Sequence, residues 1–258
     1  MKYPAGGGLP AGGIGSDTIA KKEQIKILRA GRVQYMIQYT SLRGGVAKQD
    51  RQPKRNISAA VRESMNFRTS KMKLWLILES TFNPSDDLYV SFTYRDADLP
   101  KNKDEANRRF AYFIRTLRET RSARALDTVY VWVTEGQHGD KRLHHHLLIN
   151  GTGDDYAMMH DLWKWGDQVE IWPYHCKKHW DHAEYFAKEV REKGRRRVGE
   201  RMWRASRNVK RPVITYETAK PGSLLAAPAG AYVVEKDQKD NTFGRFQYVH
   251  CILPDVNN

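Results

Sequence analysis

Cysteine and long apolar runs are scarce in this sequence. The chain has 258 residues and only two cysteines, Cys176 and Cys251, which lie far apart and suggest no disulfide framework. No apolar stretch is long enough to cross a bilayer, and the glycine-rich first residues lack the continuous apolar core of a signal peptide. We therefore expect a protein of a reducing cytoplasm with no membrane partner.

Acidic residues are too few to balance the basic ones. Asp and Glu total 30 against 44 Lys and Arg, which gives a net charge of +14. Such a surplus favours a polyanionic partner, and nucleic acid is the commonest one. The hydrophobic fraction of 40% still supports a folded core. We divide the chain into a flexible basic arm, residues 1–56, and a folded domain, residues 57–258, and we expect a short helix at 22–29 within the arm.

The spacing of apolar residues predicts the elements of the domain. Predicted helices cover residues 58–80, 103–120, 158–165 and 183–193. Predicted strands cover residues 87–94, 128–135, 141–150, 168–172, 232–235 and 246–253. Strands and helices in this order are typical of an α+β fold in which helices pack on a central antiparallel sheet.

Three consecutive histidines stand in one predicted strand. Because side chains alternate between the faces of a strand, His144 and His146 share a face, about 7 Å apart, and His145 points the other way. The strand before it is joined by a short polar loop, as in a hairpin, which places Glu135 beside His144. Two imidazoles and a carboxylate would form a metal site with open coordination positions. The alternative is a set of hydrogen-bonded histidines without a metal.

A tyrosine and a lysine lie together on the predicted helix at 183–193. Its apolar stripe is formed by other residues, so Tyr185 and Lys188 are neighbours on a face that does not enter the core. A phenol attacks a phosphodiester at neutral pH only with a cation and a metal-polarised phosphate nearby, and Lys188 would supply part of that charge. The alternative is a surface tyrosine beside a lysine that pairs with Glu184.

Basic residues follow this helix closely. The candidates for contact with DNA phosphates are Lys193, Arg195, Arg196, Arg197, Arg204 and Arg207. A run of charge is more often a solvated surface, and that alternative stays open. Trp203 within the same run is either a core residue, which we favour, or a base-stacking residue.

Three segments, in order, resemble the motifs of one family. Residues 88–94 resemble its first strand motif, Glu135 with the histidines at 144–146 its metal motif, and Tyr185-Phe-Ala-Lys188 its Tyr-x-x-Lys motif. The family is that of the HUH endonucleases, specifically the single-tyrosine rolling-circle replication initiators of phages, plasmids and small circular single-stranded DNA viruses. His145 stands where a bulky apolar residue is usual, so a pairing of His145 with His138 is a poorer alternative for the metal site.

The resemblance implies a fold, a chemistry and partners. The fold is an HUH or RNA-recognition-like nuclease fold, with Mg²⁺ or Mn²⁺ held by Glu135, His144 and His146. Tyr185 would nick single-stranded DNA at a replication origin, leave a 5′-phosphotyrosine and a free 3′-hydroxyl, and later rejoin the ends. The sequence contains no phosphate-binding loop of an ATPase, so we expect a host or accessory helicase as partner. The alternatives are a relaxase or transposase with the same chemistry, and a non-catalytic nucleic-acid-binding protein.

Overall fold

The computed structural model describes residues 22–41, 59–84, 86–136, 142–174, 201–241 and 244–254. Its helices are α1 (Ala59–Thr81), α2 (Lys103–Ser122) and α3 (Asp155–Leu162). Its strands are β1 (Lys22–Ala30), β2 (Val33–Ser41), β3 (Asp87–Thr93), β4 (Tyr130–Glu135), β5 (His144–Asn150), β6 (Val169–Pro173), β7 (Arg204–Ala205), β8 (Val213–Thr218), β9 (Tyr232–Asn241) and β10 (Gly244–Ile252). The predicted α+β class is confirmed, with two antiparallel sheets in place of the one expected.

The first sheet has the strand order β6-β3-β5-β4-β7. The strands β4 and β5 form the predicted antiparallel pair, with Glu135 opposite His144 and Val133 opposite His146. On one face of the sheet, Phe92, Trp132 and Leu147 pack with residues of α2 and α3. The opposite face contributes other residues to a second core. The sheet is therefore covered on both faces over most of its length.

Helix α2 shows how the sequence forms one of these layers. The side chain of Asn102 caps the helix by accepting a hydrogen bond from the backbone N–H of Glu105. Phe110, Phe113 and Leu117 follow helical spacing and are fully buried against the sheet. Burial of each such side chain contributes roughly 1.5–3 kcal/mol, so the helix is held mainly by this face.

Helix α1 packs on the opposite face. Leu74 and Leu78 are fully buried with Val131, Val133 and Leu148 of the first sheet. The same cluster contains residues of the second sheet, so α1 contacts both sheets. The bounds of α1 match the helix predicted at 58–80 to within one residue.

The second sheet has the strand order β8-β1-β2-β10-β9. Our prediction of a short helix at residues 22–29 is wrong, because these residues form β1, which pairs with β2 and β8. Apolar side chains lie on both faces of β1, with Ile25 and Ile27 on one face and Leu28 and Ala30 on the other. That distribution hides the alternation by which a strand is recognised. The division of the chain at residue 56 stays a prediction.

Helix α3 begins and ends three residues earlier than the helix predicted at 158–165. Trp163 leaves the helix in an extended conformation, and its indole N–H donates to the carbonyl of Thr93. Because Trp163 and Thr93 are 70 residues apart, the spacing of apolar residues near α3 does not predict this hydrogen bond or the end of the helix.

The helix predicted at 183–193 lies outside the described residues. None of the helices described here is long and apolar enough to cross a membrane.

Candidate metal centre

Glu135, His144 and His146 converge at one end of the first sheet. One ligand atom from each lies within 4.8 Å of the other two. The Nε2 atom of His144 is 3.4 Å from one carboxylate oxygen of Glu135, and the Nε2 atom of His146 is 3.8 Å from the other. The cause is the register of β4 and β5, which puts the carboxylate and both imidazoles on one face. The predicted grouping of these three side chains is confirmed.

The two imidazole rings are oriented by contacts behind the site. The Nδ1 atom of His144 lies 2.8 Å from the carbonyl oxygen of Arg142, which only accepts hydrogen bonds. That nitrogen therefore donates the hydrogen bond, and Nε2 is the ring nitrogen that faces Glu135. The Nδ1 atom of His146 lies 2.7 Å from the hydroxyl of Tyr89. Fixing the outer nitrogen in this way orients a histidine as a metal ligand.

The site is buried on one side and open on the other. The side chains of Glu135 and His146 are each 8% exposed, whereas that of His144 is 18% exposed. A carboxylate removed from water is costly unless a cation or hydrogen-bond donors face it. Two imidazole nitrogens and a carboxylate grouped this closely are a donor set that suits a divalent cation with open coordination positions. The donor set thus fits a metal ion.

His145 faces the opposite side of the sheet, as alternation predicts. Its ring is completely buried and stacks on Phe110 at 4.2 Å between ring centroids. Its two nitrogens lie 2.7 Å from the hydroxyl of Tyr94 and 2.8 Å from that of Thr134. Burial, followed by the nearby His144, holds the pKa of His145 well below its usual range. His145 is therefore a neutral core residue on the face opposite Glu135, and His138, its partner in the alternative pairing, lies outside the described residues.

Of the residues predicted to contact DNA phosphates, the structure describes Arg204 and Arg207. Arg204 lies over the ring of Trp132, 4.7 Å from its centroid, and donates to the side-chain oxygen of Asn107, so it is half-buried. Arg207 is exposed. Tyr185, Lys188, Lys193, Arg195, Arg196 and Arg197 lie outside the described residues. Trp203 is half-buried against the core shared by α1 and the sheets, and its indole N–H donates to the hydroxyl of Ser70. This agrees with the core position that we favoured over base stacking.

The sequence analysis missed three features of the site. They are Tyr89, the carbonyl of Arg142 and Trp172. Tyr89 lies in β3 opposite Leu148, in the phase that shares a face with His146, but the pairing of β3 with β5 joins strands that are distant in sequence. The carbonyl of Arg142 and the position of Trp172 beside Tyr89 depend on how the chain folds back, which apolar spacing does not reveal.

Fold and site together define an α+β protein with a two-histidine, one-carboxylate cluster at the end of an antiparallel sheet. A family model described as Replication-associated protein ORF2 matches residues 87–195. The matched segment contains the three clustered side chains as well as Tyr185 and Lys188. The match is consistent with the resemblance to rolling-circle replication initiators and covers somewhat less than half of the chain. Neither the search of curated proteins nor that of solved structures finds a match.

Proposed function

We propose that this protein is a replication initiator endonuclease that nicks single-stranded origin DNA through Tyr185. The observation that carries the proposal is the convergence of Glu135, His144 and His146 within a segment that matches replication-associated proteins. The net charge of +14 supports a nucleic-acid substrate. The same chemistry serves relaxases and transposases, and the family match favours replication.

Glu135, His144 and His146 would hold one divalent cation, Mn²⁺ or Mg²⁺. Such an ion would supply Lewis acidity to the non-bridging oxygens of a phosphate at its open positions. Two nitrogen ligands favour Mn²⁺ over Mg²⁺, which prefers oxygen ligands and retains its water. We therefore expect activity in both ions and tighter binding of Mn²⁺.

Tyr185 is the proposed nucleophile, and the support comes from the sequence. It begins the Tyr-x-x-Lys motif within the matched segment. Its phenolate oxygen would form a bond to phosphorus as the bond from phosphorus to the 3′-oxygen breaks, and that oxygen takes up a proton. Lys188 would stabilise the phenolate or the negative charge that develops on the phosphate. The phosphotyrosine bond keeps the energy of the broken bond, so a later 3′-hydroxyl can reverse the step and join the ends without ATP.

A denaturing gel tests the reaction. Single-stranded oligonucleotides that tile the DNA carrying the gene would be labelled at the 3′ end and incubated with the protein and Mn²⁺. We expect one oligonucleotide to give a slowly migrating covalent band, because the 3′ fragment stays joined to the protein. A 5′ label on the same oligonucleotide should instead appear on a shorter free strand.

Two tyrosine variants make the test specific. Tyr185→Phe should lose the covalent band and retain DNA binding, because only the nucleophilic oxygen is removed. Tyr216→Phe, at an exposed position of β8, should keep the band. A band that persists in Tyr185→Phe would refute the assignment of the nucleophile. Salt-sensitive DNA binding by the wild-type protein without any cleavage would favour a non-catalytic nucleic-acid-binding protein instead.

A further inference from the structure

We propose that Trp172 stacks on an unpaired DNA base beside the phosphate bound at the metal centre. The inference rests on the proposed function and adds to it the surface that receives the substrate strand. Trp172 lies on β6, which ends the first sheet among the described strands, and it is directly opposite Tyr89 of β3. Trp172 belongs to a row of rings, it is exposed, and the chain as a whole is strongly basic.

A continuous row of rings leads from the sheet edge to the metal centre. The ring centroids of Trp172 and Tyr89 are 6.0 Å apart, with an angle of 33° between the planes. Tyr89 in turn stacks on His146, at 5.5 Å and 22°. His144 follows at 4.8 Å from His146. A base on Trp172 would thus lie on the face of the metal centre, with Tyr89 alone between Trp172 and the ring of His146.

Trp172 is exposed on the face that carries the metal centre. The neighbouring Ile171 points to the other face and packs on the core beneath α2, so alternation directs Trp172 to the side of Tyr89. The side chain of Trp172 nevertheless remains 45% exposed. A single exposed apolar residue is ordinary on a protein surface. One that extends a row of contacting rings from a metal centre is a feature of a binding surface.

An unpaired base fits this surface better than a duplex does. Stacking uses the face of a base, which a duplex covers with the next base pair and a single strand leaves open. Each stacked base contributes about 1–3 kcal/mol and any base provides a ring face, so Trp172 adds affinity without strict sequence choice. The net charge of +14 supplies the attraction to the backbone phosphates.

Equilibrium binding of a fluorescent single-stranded oligonucleotide tests the stacking. The titration uses the full chain in EDTA, so that cleavage does not interfere. Trp172→Ala should weaken binding roughly 5- to 150-fold, which corresponds to the stacking energy of one base. Tyr232→Ala removes an exposed aromatic side chain from β9 of the second sheet and should change affinity less than about 2-fold.

Two further variants separate stacking from apolar packing. Trp172→Phe retains a ring and should retain most of the affinity, whereas Trp172→Leu retains apolar area without a ring and should bind as weakly as Trp172→Ala. Equal affinities for Trp172→Phe and Trp172→Leu would refute stacking. Wild-type affinity in Trp172→Ala would refute it as well.

Abasic sites locate the stacked base. In the oligonucleotide that gives the covalent band, a single abasic site beside the nick should weaken binding by the wild-type protein and leave Trp172→Ala unchanged. If the loss of affinity caused by Trp172→Ala and the loss caused by an abasic site add at every position near the nick, the proposal is contradicted. If Trp172→Ala weakens binding but no oligonucleotide gives a covalent band, the stacking stands and the proposed nicking fails. If the band forms and Trp172→Ala binds normally, the nicking stands and the stacking fails.

Discussion

Three consecutive histidines have two different environments in this protein. His144 and His146 face Glu135, whereas His145 is buried between Phe110 and the hydroxyls of Tyr94 and Thr134. Strand alternation alone separates them, because neighbouring residues point to opposite faces of the sheet. The chemistry available to each imidazole therefore follows from its position in the strand.

Tyr89 should tune the affinity of the metal centre. Its hydroxyl lies 2.7 Å from the Nδ1 atom of His146, and contacts of this kind orient a ligand and raise its basicity. Tyr89→Phe removes the hydroxyl and keeps the ring. We expect the affinity for Mn²⁺ to fall about 10-fold, as measured by isothermal titration calorimetry.

Tyr94→Phe is the matched control for that measurement. The hydroxyl of Tyr94 also lies 2.7 Å from a histidine nitrogen, but that histidine is His145, on the opposite face of the sheet. Loss of the Tyr94 hydroxyl should leave the affinity for Mn²⁺ within about 3-fold of the wild-type value. An equal loss of affinity in both variants would mean that fold stability, and not the orientation of His146, controls the site.

At the scale of elements, the turn after β4 determines whether the three side chains meet. Gly136 directly follows Glu135 and has a φ of +93°, a conformation that other residues rarely adopt. A Cβ atom at this position would lie 2.6 Å from the carbonyl oxygen of Arg142. The same carbonyl accepts from His144, so the glycine brings β4 and β5 together at the metal centre.

Gly136→Ala should therefore damage fold and site together. We expect the free energy of unfolding to fall by about 1–3 kcal/mol, because the backbone must move to avoid the new methyl group. The affinity for Mn²⁺ should fall with it, since Glu135 and His144 lose their register. Chemical denaturation and calorimetric titration measure the two effects.

Gly153→Ala provides the comparison. Gly153 also has a positive φ, +98°, but a Cβ atom there would meet nothing within 4 Å, and the residue lies at the other end of β5. We expect a loss of stability of about 1 kcal/mol from backbone strain and no change in Mn²⁺ affinity. Loss of metal binding in Gly153→Ala, or its retention in Gly136→Ala, would contradict this role of the turn.

Local patterns were sufficient to predict the sheet that carries the site. The strands β3, β4, β5 and β6 and the helix α2 were predicted to within about two residues, apart from the start of β5, because each has a clear apolar period. Glu135 and His144 were paired correctly, since a short hairpin fixes the register. The environments of Tyr89 and Trp172 were missed, because they depend on strands that are distant in sequence.

At the scale of the whole molecule, β1, β2 and β8 of the second sheet were not predicted, although β9 and β10 overlap the strands predicted at 232–235 and 246–253. Its strand β2 pairs with β10, more than 200 residues later in the chain. The backbone N–H of Leu253 also donates to the carbonyl of Arg32. Contacts of such separation leave no local signal, so the pairing of β2 with β10 could not be predicted from either segment.

His250 lies where the second sheet meets α1. Its ring is 4.1 Å from that of Trp75, and the residue is 1% exposed. Burial lowers the pKa of His250 to about 4, although the negative charges of Glu235 and Glu79 act in the opposite direction. The folded state thus holds this imidazole neutral over a pH range in which the unfolded chain protonates it.

The stability of the protein should therefore decrease on mild acidification. Between pH 6.5 and pH 4 the unfolded state binds the additional proton, so stability is lost as pH falls through that range. We expect the wild-type protein to lose about 2 kcal/mol more than His250→Phe between pH 7 and pH 5. Urea denaturation at several pH values measures this, and parallel pH profiles for the two proteins would contradict it. The other histidines are present in both proteins, so their contributions cancel.

Binding of Mn²⁺ tests the metal centre most directly. Calorimetric titration of the full chain should show one Mn²⁺ bound per molecule. Glu135→Gln, His144→Gln and His146→Gln should each reduce the affinity by about 100-fold or more, because each removes a ligand. His145→Leu, between the two histidine ligands in sequence but on the other face, should keep the site. An ion that still binds in the first three variants, or that is lost in His145→Leu, would contradict the account.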